Sequence, residues 1–389
     1  MSPSSPQKSI EKVYILAGEP SGEEHAAKVV KAALKLQPRL QFRGMGGDAM
    51  AQQGVALVEH VRNTAIMGFA EVFSKIRFIR RLFRRIQSDI LDFAPDRILL
   101  VDYPGFNLRM AKWAKKKGIP VDMYISPQVW AWKKHRVHRI ARDIDRLNVI
   151  LPFEPDSYRG LDLEVEYVGH PLAESTPESL SSSNDAADAT EWRKSHQIPE
   201  DRPILALLPG SRPQEIQRML PVLEETACAF PDCFPVIAGA PGRTSADYPT
   251  DLLVLFGETQ ALYRHASSGI VTSGTATLEA ALAGMPQVVA YRTSGFTYRV
   301  AKAFSKVKYI SLVNLILNKE AVPERIQDEC TPDTLTASLR HIMSHEGRAQ
   351  MAASLVDLRK VLSKDGASAR VARNLIRPIQ YEGTRSAAP

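Results

Sequence analysis

A short apolar run, a turn of small or polar residues, and a stretch of helix length recur along the chain in that order. In the first half the runs are residues 13–17 (VYILA), 97–101 (RILLV) and 121–126 (VDMYIS). In the second they are 204–208, 234–238, 252–256, 269–272 and 287–291. Runs this short and continuously apolar suit strands covered on both faces, and the stretches between them are long enough for crossover helices. The pattern predicts an α/β architecture of doubly wound parallel sheets. A chain of 389 residues accommodates two such domains. Residues 175–190 (STPESLSSSNDAADAT) are small, polar and without apolar period, as an exposed connection would be. The expected layout is an N-terminal domain over 12–174, a linker over 175–200 and a C-terminal domain over 201–379, the last helices packing back on the N-terminal domain.

Composition narrows the setting. With 44% hydrophobic and 24% charged residues, the chain is not disordered. Cys228, Cys233 and Cys330 are too few for a disulfide framework, which points to a reducing compartment. Residues 1–11 lack the apolar core of a signal peptide, and no stretch approaches the roughly 18 apolar residues of a spanning helix. The net charge of +7 is lopsided: residues 1–175 hold 27 Lys and Arg against 20 Asp and Glu, the remainder 23 against 23. A basic first half attracts nucleic acid, an anionic bilayer or a phosphorylated substrate, and charge alone does not choose among them.

Tandem domains of this kind bind ligands outside the carboxyl ends of their strands, in the cleft between them. The distinctive motifs all follow a strand. LLPGSR (207–212) is a strand, a glycine turn and a helix start that Ser211 and Gln214 mark in capping-box register. A helix N-terminus there suits a phosphate and Arg212 adds a planar cation; the plainer reading is a turn with a surface arginine. SGTATLE (273–279) is a second small-residue loop opening a helix, where Glu279 either accepts ribose hydroxyls or stabilises its own helix. Neither loop is a Walker A or a G-x-G-x-x-G fingerprint. Asp102 ends a buried strand before Pro104 and Gly105, which suits a general base for a hydroxyl or an Asx-type turn. Ser21, with Glu24 three residues on, predicts a helix from about residue 22 to 36. Trp130 and Trp132 precede a basic run, Lys133 to Arg139, suited to a sugar phosphate or nucleic acid, or to packing a lid loop. No HExxH motif, Cys/His cluster or acidic pair has metal-ligand spacing.

Residues 66–86 (IMGFAEVFSKIRFIRRLFRRI) place Phe69, Val72, Phe73, Ile76, Ile79, Phe83 and Ile86 at steps of three and four. Lys75, Arg77, Arg80, Arg81, Arg84 and Arg85 supply six cations on the same segment. That is a basic amphipathic helix, with its apolar face in a core or on an anionic bilayer.

Ten ordered motifs together resemble the lipid-A-disaccharide synthase family over residues 12–376. They are AGEPSG (17–22), MGFAEV (67–72), DYPGFN (102–107), SPQVWAW (126–132), LPFE (151–154), VGHP (168–171), LLPGSR (207–212), SGTATLE (273–279), YISLVNL (309–315) and QDEC (327–330). The resemblance implies a GT-B fold, two Rossmann-like domains facing each other across a cleft. It implies an inverting glycosyltransferase that joins UDP-2,3-diacylglucosamine to 2,3-diacylglucosamine 1-phosphate (lipid X) through a β-1,6 linkage, releasing UDP. By the same resemblance Asp102 is the base on the acceptor 6-hydroxyl and Arg212 offsets charge on the departing diphosphate. Ser211, Ser273, Gly274 and Thr275 become phosphate contacts, Glu279, Asn314 and Gln327 further donor-side positions, and Ser21 and Gly22 a loop facing the cleft. No cofactor or metal is implied.

Glu23 and Ala26 depart from the family's common Asp and Gly. Because both substrates carry acyl chains, Phe69, Val72, Phe73, Ile76 and Ile79 are the expected lipid-facing positions of a peripheral protein on the inner face of the inner membrane. No nucleic-acid partner is expected; a homodimer, and the roles of Trp130, Trp132 and His170, stay open. The competing readings are another UDP-N-acetylglucosamine-dependent GT-B enzyme and a non-catalytic nucleotide-sugar binder at the membrane.

Overall fold

The computed structural model describes residues 10–65, 72–130, 136–175, 185–295, 308–362 and 366–378. They fall into two compact units, Met1–Pro171 with Ser363–Pro389, and Leu172–Leu362.

The first unit is built on seven parallel strands: β1 (Lys12–Ala17), β2 (Gln41–Gly46), β3 (Ala56–His60), β4 (Arg97–Val101), β5 (Val121–Tyr124), β6 (Arg146–Val149) and β7 (Glu164–Tyr167). Their order is β3-β2-β1-β4-β5-β6-β7. The order reverses between β1 and β4, where Ala17 pairs with Val101, so the chain leaves both strands at one level of the sheet. Crevices form at such switch points because successive crossovers turn to opposite sides.

The second unit has six parallel strands, β8 (Ile204–Leu208), β9 (Phe234–Gly239), β10 (Leu253–Phe256), β11 (Ser268–Thr272), β12 (Gln287–Tyr291) and β13 (Glu324–Ile326). Their order, β10-β9-β8-β11-β12-β13, reverses between β8 and β11, where Leu208 pairs with Val271.

Several elements depart from the sequence reading. The first helix is Pro20–Leu36, with Glu19 as N-cap and Pro20 in its first turn. Proline's fixed φ starts the helix there, so Ser21 is already helical and the expected Ser21–Glu24 capping box does not form. Strand β5 stops at Tyr124 because Ile125 takes φ +68°. The linker expected over 175–200 contains a helix, Asp185–Ser195, whose Trp192 packs on the second unit's core and donates Nε1–H to Glu258 at 3.1 Å.

The amphipathic segment forms a helix at Val72–Phe93, with 66–71 outside the described residues. Its Leu82, Ile86 and Ile90 are buried against Phe106 and Met110, so over this part the apolar face belongs to the core.

The last described helix, Ala367–Ile376, lies against Pro20–Leu36, with Val371, Ala372 and Leu375 in one cluster with Val29, Val30 and Ala33. Its end is held by two buried arginines. Arg97 donates to the carbonyls of Asn374, Leu375 and Arg377 at 3.1, 2.8 and 3.0 Å, and Arg146 donates to those of Asn374 and Pro378. Both also pair with buried Asp122.

Candidate functional site

In the second unit the loops after β8 and β11 emerge side by side, and a pocket of about 490 Å³ opens between them. Ser211, Ser273, Gly274, Thr275 and Glu279 line it with Gly210 of the glycine turn, joined by Glu215, Gln260 and Tyr263, which the sequence reading missed. Gly210 takes φ +110°, and a Cβ there would lie 2.7 Å from that of Glu215, so the turn needs glycine. The capping register is one residue later than expected. Arg212 is the N-cap of helix Pro213–Cys228, and Glu215, not Gln214, accepts the backbone N–H groups of Ser211 and Arg212 at 3.2 and 3.3 Å. The Arg212 guanidinium also pairs with Glu215, at 3.1 Å, while its side chain stays 78% exposed outside the pocket lining.

The opposite loop has no such internal anion. Helix Thr275–Leu282 starts from Gly274 without a side-chain cap, so its first-turn donors and positive dipole end suit a phosphate. The Ser273 hydroxyl donates to the Ile310 carbonyl at 3.1 Å. One turn on, burial pushes the Glu279 carboxyl above its usual range, and Gln260 Nε2 donates to it at 3.4 Å. A phosphate seat next to a carboxylate able to accept hydrogen bonds from two hydroxyls is chemistry suited to a nucleoside diphosphate.

In the first unit the equivalent crevice carries Asp102. Asp102 and Tyr103 take φ +47° and +50°, two successive left-handed conformations without glycine, at a cost on the order of 1–2 kcal/mol each. Fully buried Asn107 holds them: its Nδ2 donates to the carbonyls of Asp102, Val101 and Leu16 at 2.7, 3.2 and 3.3 Å. A Cβ on Gly18 would lie 2.2 Å from the Tyr103 ring, so only glycine fits beneath it. Burial raises the Asp102 carboxyl above its usual range, partly offset by the Tyr103 backbone N–H. Glu19 is raised too, by burial and then by the Asp102 charge, which puts two carboxyls in one neighbourhood. Gly22 packs here, where an added Cβ would sit 3.8 Å from that of Asp102; Ser21 is exposed one residue before it. Glu23 is structural: its carboxylate accepts the Met50 and Ala49 N–H groups at 3.1 and 3.3 Å, a span that suits its longer arm.

Other expected positions lie elsewhere. Asn314 does not line the pocket: Nδ2 donates to the Val322 carbonyl and to Glu324, both at 2.8 Å, and Oδ1 accepts from Ala321 and Val322 at 2.7 and 3.0 Å. Those four bonds use its full hydrogen-bonding capacity. Gln327 clamps Thr293, accepting its N–H at 2.6 Å and donating to its carbonyl at 3.1 Å. Trp130 stands edge-on to Phe153 at 5.2 Å, beside Glu154, which burial pushes up to about 7. His170 is buried and pushed down to about 3, by burial and then by His25. Trp132 and Phe69 lie outside the described residues, and of Val72, Phe73 and Ile76 only the helical backbone is described. Ile79 is 36% exposed. Among the described residues no helix is long and apolar enough to cross a membrane, and no group of His, Cys, Asp and Glu could hold a metal ion.

The family model described as lipid-A-disaccharide synthetase matches residues 13–378. A lipid-A-disaccharide synthase of Myxococcus xanthus is 38% identical over 378 residues, covering 94% of this chain and 97% of that protein. Among solved structures, the glycotransferase of kitacinnamycin aligns with TM-score 0.59 at 15% identity, over 95% of this chain and 99% of the other. UDP-GlcNAc 2-epimerase from Neisseria meningitidis, solved bound to UDP-GlcNAc, aligns with TM-score 0.62 at 12% identity, over 94% and 99%. Likeness at that level shows the fold alone, and it bears out the expected GT-B class of two Rossmann-like domains. The sequence match carries the identity: the chain belongs to the lipid-A-disaccharide synthetase family.

Proposed function

We propose that this chain catalyses the reaction its family is named for, in lipid A biosynthesis. UDP-2,3-diacylglucosamine is the donor, 2,3-diacylglucosamine 1-phosphate the acceptor, and the products are the β-1,6-linked disaccharide 1-phosphate and UDP. The second unit's pocket takes the UDP moiety, its phosphates on Ser273, Gly274, Thr275 and the loop of Ser211, its ribose on Glu279. Asp102 takes the proton of the acceptor 6-hydroxyl as that oxygen attacks the donor's anomeric carbon. The bond from that carbon to the diphosphate breaks, and the configuration inverts from α to β. The pair electrons leave on the diphosphate, whose charge Arg212 and the helix N-terminus offset. Asn314 and Gln327 act by shaping the frame behind the pocket. Ser21 and Gly22 complete the acceptor loop.

The observation that carries this reading is the family match running from residue 13 to 378, across both units. Incubating the purified chain with both acylated sugars should yield disaccharide 1-phosphate and an equal amount of UDP. If neither product forms, the reading fails.

Because both substrates are acylated, we place the reaction on the cytoplasmic face of the inner membrane. The surface reached through exposed Arg77, Arg80, Arg81 and Ile79 of helix Val72–Phe93 meets the lipid there. Vesicles containing phosphatidylglycerol should sediment the protein at low salt and release it at high salt; protein left in the supernatant at low salt would rule the surface out.

A further inference from the structure

A second cavity, of about 880 Å³, lies wholly within the first unit, among helices Val72–Phe93, Pro104–Lys116 and Arg136–Asp143. Six cations line it: Arg80, Arg84, Arg109, Lys112, Lys116 and Arg139. No Asp or Glu does. Elsewhere on the same helices the cations have been given acids, Glu59 at 3.0 Å from Arg85 and Asp145 beside Lys115. Arg139 reaches Asp143 only at 3.8 Å, and that carboxylate already takes two hydrogen bonds from Arg142. Among the described residues none of the other five forms an ion pair. All six cations are exposed, so their mutual repulsion is screened by solvent, but an anion brought among them still relieves it.

The rest of the wall is aromatic. Phe106 stacks on Tyr103 with centroids 6.0 Å apart and meets the edge of Phe83 at 5.4 Å. Trp113 adds a further face, and half-exposed Ile79 stands at the rim. Such a cavity fits a ligand with an anionic end and an apolar body. Its position sharpens the choice, because Tyr103 and Gly105, which border it, belong to the turn that Asp102 opens.

We infer that this cavity is the seat of the acceptor's 1-phosphate, with the sugar ring on the aromatic wall and its 6-hydroxyl directed to Asp102. The inference rests on the transfer reaction proposed above and names the group by which the acceptor is recognised. A phosphomonoester ionised twice suits several arginines and lysines better than a singly charged phosphodiester does. The bilayer's own headgroups are therefore the weaker occupant.

The test compares acceptors with and without the 1-phosphate in neutral detergent micelles, using wild type, Arg109→Ala, Lys112→Ala and the double variant. Arg109 and Lys112 are exposed on their helix, so the fold survives their truncation. The wild type should prefer the phosphorylated acceptor. Each variant should raise KM for that acceptor by about tenfold or more, leaving kcat, donor KM and UDP affinity near wild type and the dephosphorylated acceptor unaffected. Equal losses on both acceptors, or an unchanged KM, would overturn the inference. So would variants that keep their acceptor discrimination in micelles while losing only their sedimentation with phosphatidylglycerol vesicles, since the cavity then serves lipid headgroups. These failures leave disaccharide synthesis intact in the wild type, whereas failure of the transferase reading leaves no product from either acceptor.

Discussion

Asp102 gains basicity from where it sits rather than from a partner. Burial raises its carboxyl, and the only contribution in the other direction is one backbone N–H. A carboxylate held this way accepts a proton more readily than an exposed one. Activity requires the deprotonated form, so kcat/KM should fall as pH drops through a pKa above the ordinary aspartate range. Asp102→Asn should lower kcat by about 10²- to 10⁴-fold and leave UDP affinity unchanged, which isothermal titration and turnover assays would check together. A variant within a few-fold of wild type would remove Asp102 from the chemistry. Asn107 is the hidden half of this device. It holds two left-handed residues with three hydrogen bonds, so Asn107→Leu should cost activity through misplacement of the turn. The motif DYPGFN displayed both residues, but the sequence offered no means of seeing that Asn107 serves Asp102. The same amide also reaches the Leu16 carbonyl, 91 positions away in the chain, which ties the turn to strand β1. The bonding of Asn314 and Gln327 was hidden for the related reason that a polar residue bonded within the protein looks, in sequence, like one free to meet a substrate.

Among the elements, those carrying a complete hydrophobic signal were legible and those half-covered were not. Central strands β1, β4, β8 and β11 are buried almost throughout, and their apolar runs give them away. Strands β3, β7 and β13 read ALVEH, EVEY and ERI, half-buried edges with too few apolar residues to stand out. Helix Asp185–Ser195 was hidden because its apolar residues give no helical period, and among its described side chains only Trp192 joins the core cluster. The segment after β6 shows what a motif can do structurally: Glu154 of LPFE accepts the N–H groups of Ile150 and Leu151 at 3.0 and 2.9 Å. Burial nevertheless dominates, and the carboxyl is pushed up to about 7. Its folded pKa therefore exceeds the unfolded value of 4.5, so its contribution to stability is complete below 4.5 and is lost as pH rises through 7. His170 acts in the opposite sense. Pushed down to about 3, it contributes fully above 6.5 and progressively less as pH falls. Relative to wild type, Glu154→Gln should gain on the order of 1 kcal/mol per pH unit between pH 5 and 7, read from urea unfolding at several pH values. A stability difference independent of pH would mean that Glu154 stays ionised in the folded protein.

At the scale of the whole molecule, the chain does not simply finish one domain and begin the next. Its last described helix returns to the first unit, covering the apolar face of Pro20–Leu36 with Val371, Ala372 and Leu375. This join is polar at its heart. Arg97 and Arg146 are withdrawn from water, and the carbonyls at the end of helix Ala367–Ile376 satisfy donors that Asp122 alone would leave short. The arrangement also places cations at the negative end of that helix, where its dipole favours them. Nothing in the sequence announced two buried arginines, since each reads as an ordinary charge beside a strand until a segment more than 220 residues later arrives. Replacing Arg97 with Met removes one partner while the Asn374, Leu375 and Arg377 carbonyls and Asp122 remain inside. Leaving a buried network half-paired costs about 3–5 kcal/mol, so Arg97→Met should lower the unfolding midpoint of the first unit in hydrogen exchange, with the greatest loss of protection in helices Pro20–Leu36 and Ala367–Ile376. The second unit's pocket draws on neither helix, so UDP should still bind with wild-type affinity while transfer activity falls with the folded fraction of the first unit. Unchanged protection in Ala367–Ile376 would show that apolar packing alone holds the returning helix, and the two arginines would then need another explanation for being buried.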